Sequence, residues 1–416
     1  MFRTSLVACL IAGILASGCT SHATPSQQNK DTTLNSGEQP SRAEQQSFIA
    51  WRAGFRHRAL AAGIAPGVFD AAFEHVTLNQ QVIKLDRRQA EFTRQLWDYL
   101  DTAVSATRVS NGQEKRRALA GTLARIEQGY GVRPEVVLAV WGMETNYGSF
   151  RGNTPTIEGL ATLAFEGRRR EFAETQLIAA LRILQSGDVS VQDMRGSWAG
   201  AMGHTQFMPT SYLEYARDFD GDGKRNIWSD DPTDALASTA YYLSRFGWQP
   251  GAPWGLEVTL PAGFDYAQAD QNNRRPVAHW RRLGVTRANG TPLPDHGDAA
   301  ILVPAGAQGP AFVVFNNFYV IKRYNNATAY AMAVGHLADK IAGGSDFNRA
   351  WPRHERALSR AEKQELQQRL TEQGFDTKGA DGVIGPNTMT AIRAWQQAHG
   401  LTADGYASAS LLNRLR

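Results

Sequence analysis

The stretch Val136-Val137-Leu138-Ala139-Val140-Trp141-Gly142-Met143-Glu144-Thr145-Asn146-Tyr147-Gly148 decides how the rest of the chain is read. Pro134 suits a first helical turn, where its missing N–H would have no partner in any case. Val136 to Met143 is almost wholly apolar, which predicts a helix buried on every side. Glu144 ends that run. A carboxyl group on a buried helix is costly to ionise, so its pKa should rise. A carboxyl that keeps its proton near neutral pH can act as a general acid. The plainer alternative places Glu144 in the last turn, facing water.

At 416 residues the chain has room for two or three domains. Lys and Arg exceed Asp and Glu by 44 to 40, a net charge of +4 that suits weakly anionic partners. No Arg/Lys-rich block with interleaved aromatics is present, so nothing points to nucleic acid. Met1-Phe2-Arg3 and the apolar Leu6–Leu15 run form an export signal over residues 1–18, too short to span a bilayer, which takes about 20 residues. Leu15-Ala16-Ser17-Gly18-Cys19 resembles a bacterial lipobox, which implies lipidation at Cys19. Ala16 stands where the lipobox usually has Leu, and Ala16-Ser17-Gly18 also reads as a cleavage site for a soluble exported protein. Thr20 is not the Asp of inner-membrane retention, so the outer membrane is the expected address. Cys9 and Cys19 are the only cysteines, and with Cys9 inside the signal the mature chain has no internal disulfide.

Residues 19–45 are rich in Ser, Thr, Gln, Asn and Pro and read as a flexible tether. From Phe48 the pattern turns helical, with Phe48, Trp51, Phe55, Phe69 and Phe73 at helical spacings, broken by Gly63 and Pro66-Gly67. A second helical segment carries Val82, Leu85, Phe92, Leu96, Trp97 and Leu100, and a third runs from about Lys115 to Tyr130. Thr156–Leu184 predicts two helices with Arg168-Arg169-Arg170 between them as a solvated charge run. In Gly196–Tyr212, small residues permit close backbone approach to a ligand or another helix. Ser197 and Gln206, if buried there, need partners, which a substrate or the protein itself can supply. Asp218, Asp220 and Asp222 with Gly223 match the start of an EF-hand loop for a structural Ca²⁺, although Ser229 holds the twelfth position where a bidentate Glu is expected. Asp234 could close a longer loop; an Asx-rich turn without metal fits the same residues. Leu256–Leu260, Ala300–Val303 and Phe312–Phe315 read as strands of a small β-rich insert, and helix returns at Tyr330–Ile341. A composition break near Gly343–His354 precedes a compact unit over residues 356–416, with Leu366, Leu370, Ile392 and Trp395 as its helical core. Asp381-Gly382 and Asp404-Gly405 are turns at corresponding places in that unit.

Glu144-Thr145-Asn146-Tyr147-Gly148 resembles the catalytic signature of lytic transglycosylases with a lysozyme-like core. Together with Gly200–Pro209 and Phe315–Asn325, it is similar to the membrane-bound lytic murein transglycosylase B family over roughly residues 48–341. The Asp218 loop fits too, since members of that family can carry an EF-hand-like calcium loop. Leu366-Gln367, Gly374-Phe375, Asp381-Gly382, Ala391-Ile392 and Trp395-Gln396 are similar to the small peptidoglycan-binding domain of many wall enzymes. The resemblance implies a mainly α (α+β) protein. Residues 46–345 would be a lysozyme-like helical catalytic domain with a small β-rich insert, and residues 356–416 a three-helix wall-binding domain. It implies cleavage of the β-1,4 bond between N-acetylmuramic acid and N-acetylglucosamine, leaving a 1,6-anhydromuramoyl end. Glu144 would protonate the glycosidic oxygen and then take the proton of the muramoyl C6 hydroxyl as that oxygen attacks C1. No cofactor is needed for this chemistry. Ser197 and Gln206 would contact substrate, as would Tyr242, Tyr324, Asn325 and Tyr330, with Tyr99 a further wall residue. Asn317 and Arg323 belong to the motif without an assigned role.

The residues agree with that chemistry in their own right. Ordinary glycosidases need two carboxyl groups. Glu144 stands alone in its apolar run, and Glu158 and Glu166 lie downstream in more polar sequence where exposure is expected. An intramolecular hydroxyl removes the need for the second acid, because proximity does the nucleophile's work. A hydrolytic muramidase remains the first alternative, and a non-catalytic peptidoglycan-binding scaffold the second. Nothing points to a zinc peptidase in the C-terminal unit, since His399 is its only histidine and one histidine does not make a site. The expected partners are glycan strands and, through a lipid anchor, the outer membrane.

Overall fold

The structure, a computed structural model, describes residues 40–87 and 94–416. The export signal, Cys19 and the tether up to residue 39 lie outside the described residues, as does Phe92. The chain is mainly helical, with seventeen α-helices and seven short strands among the described residues. No described helix is long and apolar enough to cross a membrane. Contacts divide the described residues into two compact units, one of residues 40–87 and 144–241, the other of residues 94–143 and 242–416.

Helix α1 (Arg42–Ala61) begins well before Phe48. The signal missed in the tether is a capping box, in which Ser41 and Glu44 satisfy each other's backbone N–H. α2 (Pro66–Phe73) opens on a proline and α3 (Gln80–Arg87) follows. The expected aromatic spacing forms a packed ladder: Trp51 stacks on Phe55 at 5.3 Å, and Phe69 on Phe73 at 4.3 Å. α4 (Leu96–Ala103), α5 (Ala106–Ala118) and α6 (Ala120–Tyr130) come next. The helix expected over Lys115–Tyr130 is therefore broken at Leu119, whose φ of −106° and ψ of 18° leave the helical basin. Gly131, at φ 70°, ends α6, and α7 (Pro134–Thr145) is the helix that carries Glu144.

After β1 (Thr154–Pro155) come α8 (Thr156–Glu166) and α9 (Arg170–Ser186), an antiparallel pair joined through Gly167. The Arg168–Arg170 run is not simply solvated. Arg168 bonds the carboxylate of Asp86, which is only 4% exposed, at 3.0 Å. A buried carboxylate needs a counter-charge, and the run supplies it. β2 (Arg195–Gly196) pairs antiparallel with β1; α10 (Pro209–Tyr215) and α11 (Thr233–Arg245) follow.

The β-rich insert is an antiparallel sheet built from β3 (Gly255–Thr259), β4 (Arg275–Pro276), β5 (Thr286–Arg287), β6 (Asp298–Leu302) and β7 (Ala311–Val314), with the short α12 (Val277–Arg282) between β4 and β5. Strand order is β4-β6-β7-β3-β5. The three longer strands fall where the sequence reads as strand, β6 and β7 buried almost throughout; β4 and β5, at two residues each, leave no pattern to read. Trp280 seals the insert's core, fully buried, its indole N–H donating to the Ala299 carbonyl at 2.9 Å. Helix returns earlier than expected, with α13 (Asn316–Tyr324) before α14 (Thr328–Ile341). α14 is buried over nearly its whole length, and Gly335 is required there: a Cβ would lie 2.4 Å from the Trp254 ring.

The C-terminal unit holds α15 (Arg360–Glu372), α16 (Pro386–Ala398) and α17 (Ala409–Leu415) around Leu366, Leu370, Ile392, Trp395 and Leu412. Its two Asp-Gly turns are held alike. The Gln367 amide accepts from Gly382 N–H and donates to Asp381, while the Gln396 amide accepts from Gly405 N–H and donates to Asp404. Asp404 also accepts from the Ala307 N–H at 2.8 Å, and Tyr406 donates to Gln95 at 3.2 Å. The stretch Gly343–His354 is likewise pinned, with the Phe347 ring against Phe312 and Trp351 beside Trp97.

Candidate active site

Residues Val136 to Gly142 are buried, as expected for an all-apolar helix, while Met143 and Glu144 are half-buried. Glu144 sits in the last turn of α7 but does not stand out into solvent. The chain turns sharply behind it, because Asn146 (φ 49°) and Tyr147 (φ 59°) both adopt left-handed conformations. Such residues persist only where their surroundings hold them. Here the holding group is Thr145, 2% exposed. Its hydroxyl donates to the His204 carbonyl at 2.5 Å and accepts from the Gly148 N–H at 3.0 Å. The Phe150 N–H returns to the Thr145 carbonyl at 3.0 Å.

The Gly196–Pro209 block is not helical. It is a compact coil stitched by antiparallel bridges from Gly196 to Met202 and from Met202 to Phe207. Glycine is obligatory at two points: a Cβ on Gly196 would lie 2.1 Å from the Ala201 carbonyl, and one on Gly203 (φ 68°) 2.4 Å from that of Ile227. The coil carries both candidate substrate contacts. Ser197, half-buried, accepts the Ala201 N–H on its Oγ at 3.1 Å, so its own hydroxyl proton remains to be donated. Gln206, 8% exposed and at φ 55°, donates both amide hydrogens, to the Arg151 and Gly203 carbonyls at 3.1 and 2.9 Å. Its Oε1 is what remains for a ligand. Gln206 to Arg151 and Thr145 to His204 thus bind the Glu144 turn and the coil into one rigid piece.

Two residues of that piece went unassigned in the sequence. His204 is 4% exposed, and its Nε2 lies 2.7 Å from the Ser229 carbonyl, which assigns the Nε2–H tautomer. Burial, with help from the Arg151 guanidinium, holds this imidazole below its ordinary pKa. Arg151 donates to the Trp228 and Ser229 carbonyls at 2.6 and 2.7 Å and pairs with Asp230 at 3.0 Å. Thr145 and His204 stood inside the motifs, whereas nothing in the sequence marked Arg151. Glu158 and Glu166 are both engaged away from Glu144. Glu158 accepts from the Asn79 amide at 2.7 Å and the Thr77 hydroxyl at 3.2 Å, and Glu166 pairs with Arg87.

The carboxylates of Asp218, Asp220 and Asp222 offer oxygens within 4.8 Å of one another, on an exposed loop. Hard oxygens so placed suit a cation such as Ca²⁺. Asp234 is placed differently. It is 2% exposed, and it accepts the Phe219 and Asn226 N–H groups at 2.8 Å each, one on each carboxylate oxygen. It closes the loop through the backbone rather than joining the cluster, and burial raises its pKa despite those bonds.

The aromatic candidates belong to the other unit. Tyr242 (8% exposed) and Tyr324 meet edge to face at 5.1 Å, and the Tyr242 hydroxyl donates to the Arg323 carbonyl at 2.7 Å. Asn325 caps the next turn, its Oδ1 accepting the Ala327 N–H at 3.1 Å. Tyr330 is buried in the first turn of α14, and Tyr99 is half-buried on α4, which packs against α14. The motif residues left without a role are structural. Asn317, fully buried, bonds the backbone of Gln249 and Ala252 through both ends of its amide. Arg323 lies over the Phe246 ring at 5.6 Å.

A half-buried glutamate on a braced turn, beside a coil that presents a serine hydroxyl and an amide oxygen, suits acid–base chemistry on a polar substrate. The comparisons agree. The transglycosylase SLT domain family matches residues 47–339, and the putative peptidoglycan binding domain family matches residues 359–415. The chain belongs to the transglycosylase SLT domain family. It is 35% identical over 251 residues to the membrane-bound lytic murein transglycosylase B of Escherichia coli (strain K12), spanning 59% of this chain and 66% of that relative. SltB3 of Pseudomonas aeruginosa, in complex with NAG-anhNAM-pentapeptide, is 53% identical with a TM-score of 0.84, covering 89% of this chain and all of that one. The Escherichia coli lytic transglycosylase SLT35 in complex with calcium is 30% identical with a TM-score of 0.62, covering 70% and 92%.

Proposed function

We propose that this protein is a peptidoglycan lytic transglycosylase. It cleaves the β-1,4 bond between N-acetylmuramic acid and N-acetylglucosamine and leaves a 1,6-anhydromuramoyl end. Glu144 donates its proton to the glycosidic oxygen as the bond to the muramoyl C1 breaks. The resulting carboxylate then takes the proton of the C6 hydroxyl as that oxygen bonds to C1, so no water is consumed. The observation that carries this reading is that Glu158 and Glu166, the downstream candidates for a second acid, both hold other segments in place. A hydrolytic mechanism needs a second carboxyl group within about 10 Å; a hydroxyl already on the substrate does not.

Ser197 donates its hydroxyl proton to a sugar oxygen, and Gln206 accepts an acetamido N–H on Oε1. Tyr242, Tyr324, Asn325, Tyr330 and Tyr99 supply further sugar contacts. Residues 46–345 form the catalytic domain, and residues 356–416 hold the enzyme to the wall. Asp218, Asp220 and Asp222 hold a structural Ca²⁺, which stiffens the loop and takes no part in the reaction. Export places the protein in the periplasm, anchored to the outer membrane through a lipidated Cys19.

Mass spectrometry of products from purified peptidoglycan tests the reaction. Anhydromuropeptides, lighter by one water than hydrolytic products, are expected. Reducing muramic acid ends would make the enzyme a muramidase, and binding without any product would make it a scaffold.

A further inference from the structure

The two Asp-Gly turns of the C-terminal unit are built alike, and only one of them is occupied. Each passes through a left-handed glycine, at φ 77° for Gly382 and 72° for Gly405. Each spends one carboxylate oxygen inside the unit. Asp381 Oδ1 accepts the Gln367 amide at 3.0 Å and the Val383 N–H at 2.9 Å. Asp404 Oδ1 accepts the Gln396 amide at 2.7 Å and the Tyr406 N–H at 3.0 Å. The second oxygens part company. Asp404 Oδ2 accepts the Ala307 N–H of the insert at 2.8 Å. Asp381 Oδ2 accepts from no other residue among the described residues, and Val383, next along the turn, is 61% exposed. The Gln367 amide, with the Val383 N–H, holds the Asp381 carboxyl below the ordinary range, so it is ionised at neutral pH.

The occupied turn shows what such a turn recognises. Its guest is the amide between Gly306 and Ala307. Asp404 takes the N–H, and Tyr406 covers the acyl carbon: a Cβ on Gly306 (φ 63°) would lie 2.4 Å from Asp404 Oδ2 and 2.7 Å from the Tyr406 Cβ. The fit therefore takes an N–H whose acyl carbon carries no L side chain. Cut from the chain, that fragment is CH3–C(=O)–N–H, an acetamido group. The guest is also held from outside the turn, since Arg349 donates to the Ala307 carbonyl at 2.7 Å. The Asp404 turn is thus spent on the protein itself.

We propose that the Asp381–Val383 turn receives an acetamido group of the glycan strand, with Asp381 Oδ2 accepting its N–H and Val383 covering its methyl, while the Asp404 turn fixes the unit to the insert. The proposal rests on the reading of residues 356–416 as the part that holds the enzyme to the wall. An ionised acceptor beside an exposed valine suits the neutral amide of a sugar and repels the carboxylates of a stem peptide. Acetamido groups recur on every sugar of the strand, so the turn can hold it in any register.

The test measures binding of the full-length protein, carrying Glu144→Gln so that strands are not consumed, to two polymers: glycan strands with intact stems, and the same strands stripped of stems by an amidase. Asp381→Asn keeps an oxygen for Gln367 and Val383 but turns the outer acceptor into a donor. Val383→Ser removes the apolar cover. Each is expected to weaken binding about three- to tenfold, by the same factor on both polymers. Asp404→Asn should leave affinity unchanged and make the Gly343–His354 stretch severalfold more sensitive to protease. Should Asp381→Asn lower the melting temperature, Val383→Ser, at an exposed position, still reports. Unchanged affinity in both variants, or a loss confined to stem-bearing strands, would overturn the proposal. An equal fall in affinity from Asp404→Asn would overturn the division between the turns. Protein with the native turns that binds neither polymer would instead overturn the wall-holding role of residues 356–416, and the proposal with it.

Discussion

Thr145→Val is the small change that the Glu144 turn should tolerate least. Valine fills nearly the same volume but cannot bond. At a position 2% exposed, it leaves two groups without their partner: the His204 carbonyl, 2.5 Å from the hydroxyl, and the Gly148 N–H at 3.0 Å. Each unsatisfied group costs about 1–3 kcal/mol, and with partial relaxation the pair should cost about 2–4 kcal/mol. Melting temperature should fall by roughly 4–10 °C. The effect on catalysis follows from the strain. Asn146 and Tyr147 are left-handed in the turn that Thr145 pins, and loosening that turn should move the carboxyl of Glu144. A displacement near 1 Å can cost about 100-fold, so kcat should drop by roughly 10- to 100-fold with little change in KM. Thermal unfolding and product formation from soluble peptidoglycan fragments read both effects. Thr145→Ser, which keeps the hydroxyl, should restore most of each. A Thr145→Val enzyme with unchanged melting and unchanged kcat would refute the reasoning.

Glu144→Gln should abolish cleavage while leaving melting temperature and wall binding intact, and turnover near wild type would remove Glu144 from both proton transfers. Ca²⁺ should raise the melting temperature, and Asp220→Asn should erase only that increment. Asp234→Ala should destabilise with or without the ion, because it strips the Phe219 and Asn226 N–H groups of their acceptor; a melting temperature indifferent to chelator would discard the metal. His336, 7% exposed and stacked on Phe347, has its pKa lowered to about 4 by burial, with Asp346 opposing and Lys340 reinforcing the shift. The unfolded chain takes up this proton near pH 6.5 and the folded one only near 4, so stability should fall as pH drops through that window by about 2–4 kcal/mol. His336→Phe should flatten that part of the profile, and an identical slope in the variant would assign it elsewhere. Gln367→Ala breaks the bonds to Asp381, Gly382 and Thr388 and should unfold the C-terminal unit first. Wall binding would be lost while soluble fragments are still cleaved; parallel loss of both would refute that separation.

Local sequence determined much of this protein. The apolar run before Glu144, opened by Pro134, read as a buried helix, and it is one. The aromatic spacing from Phe48 to Phe73 read as helical, and the short apolar runs of β3, β6 and β7 marked the insert. These are short-range patterns, in which one face must leave water whatever lies opposite. The paired Asp-Gly turns were legible for the same reason, although the buried glutamines that hold them were not marked. What the sequence left open depended on partners far along the chain. Arg168 read as solvated until Asp86, 82 residues earlier, proved to be its buried counter-charge. Asp234 read as a ligand until its two oxygens were found on backbone N–H groups of the loop it closes. The distribution of hydrogen bonds in the Glu144 turn was equally hidden. Gln206 needed partners that the sequence could not name; both its donors hold backbone carbonyls, and an acceptor is left for substrate. Residue types and spacing reveal which groups must be satisfied; only the tertiary structure decides which partner satisfies them, because those partners meet through close packing rather than proximity in the chain.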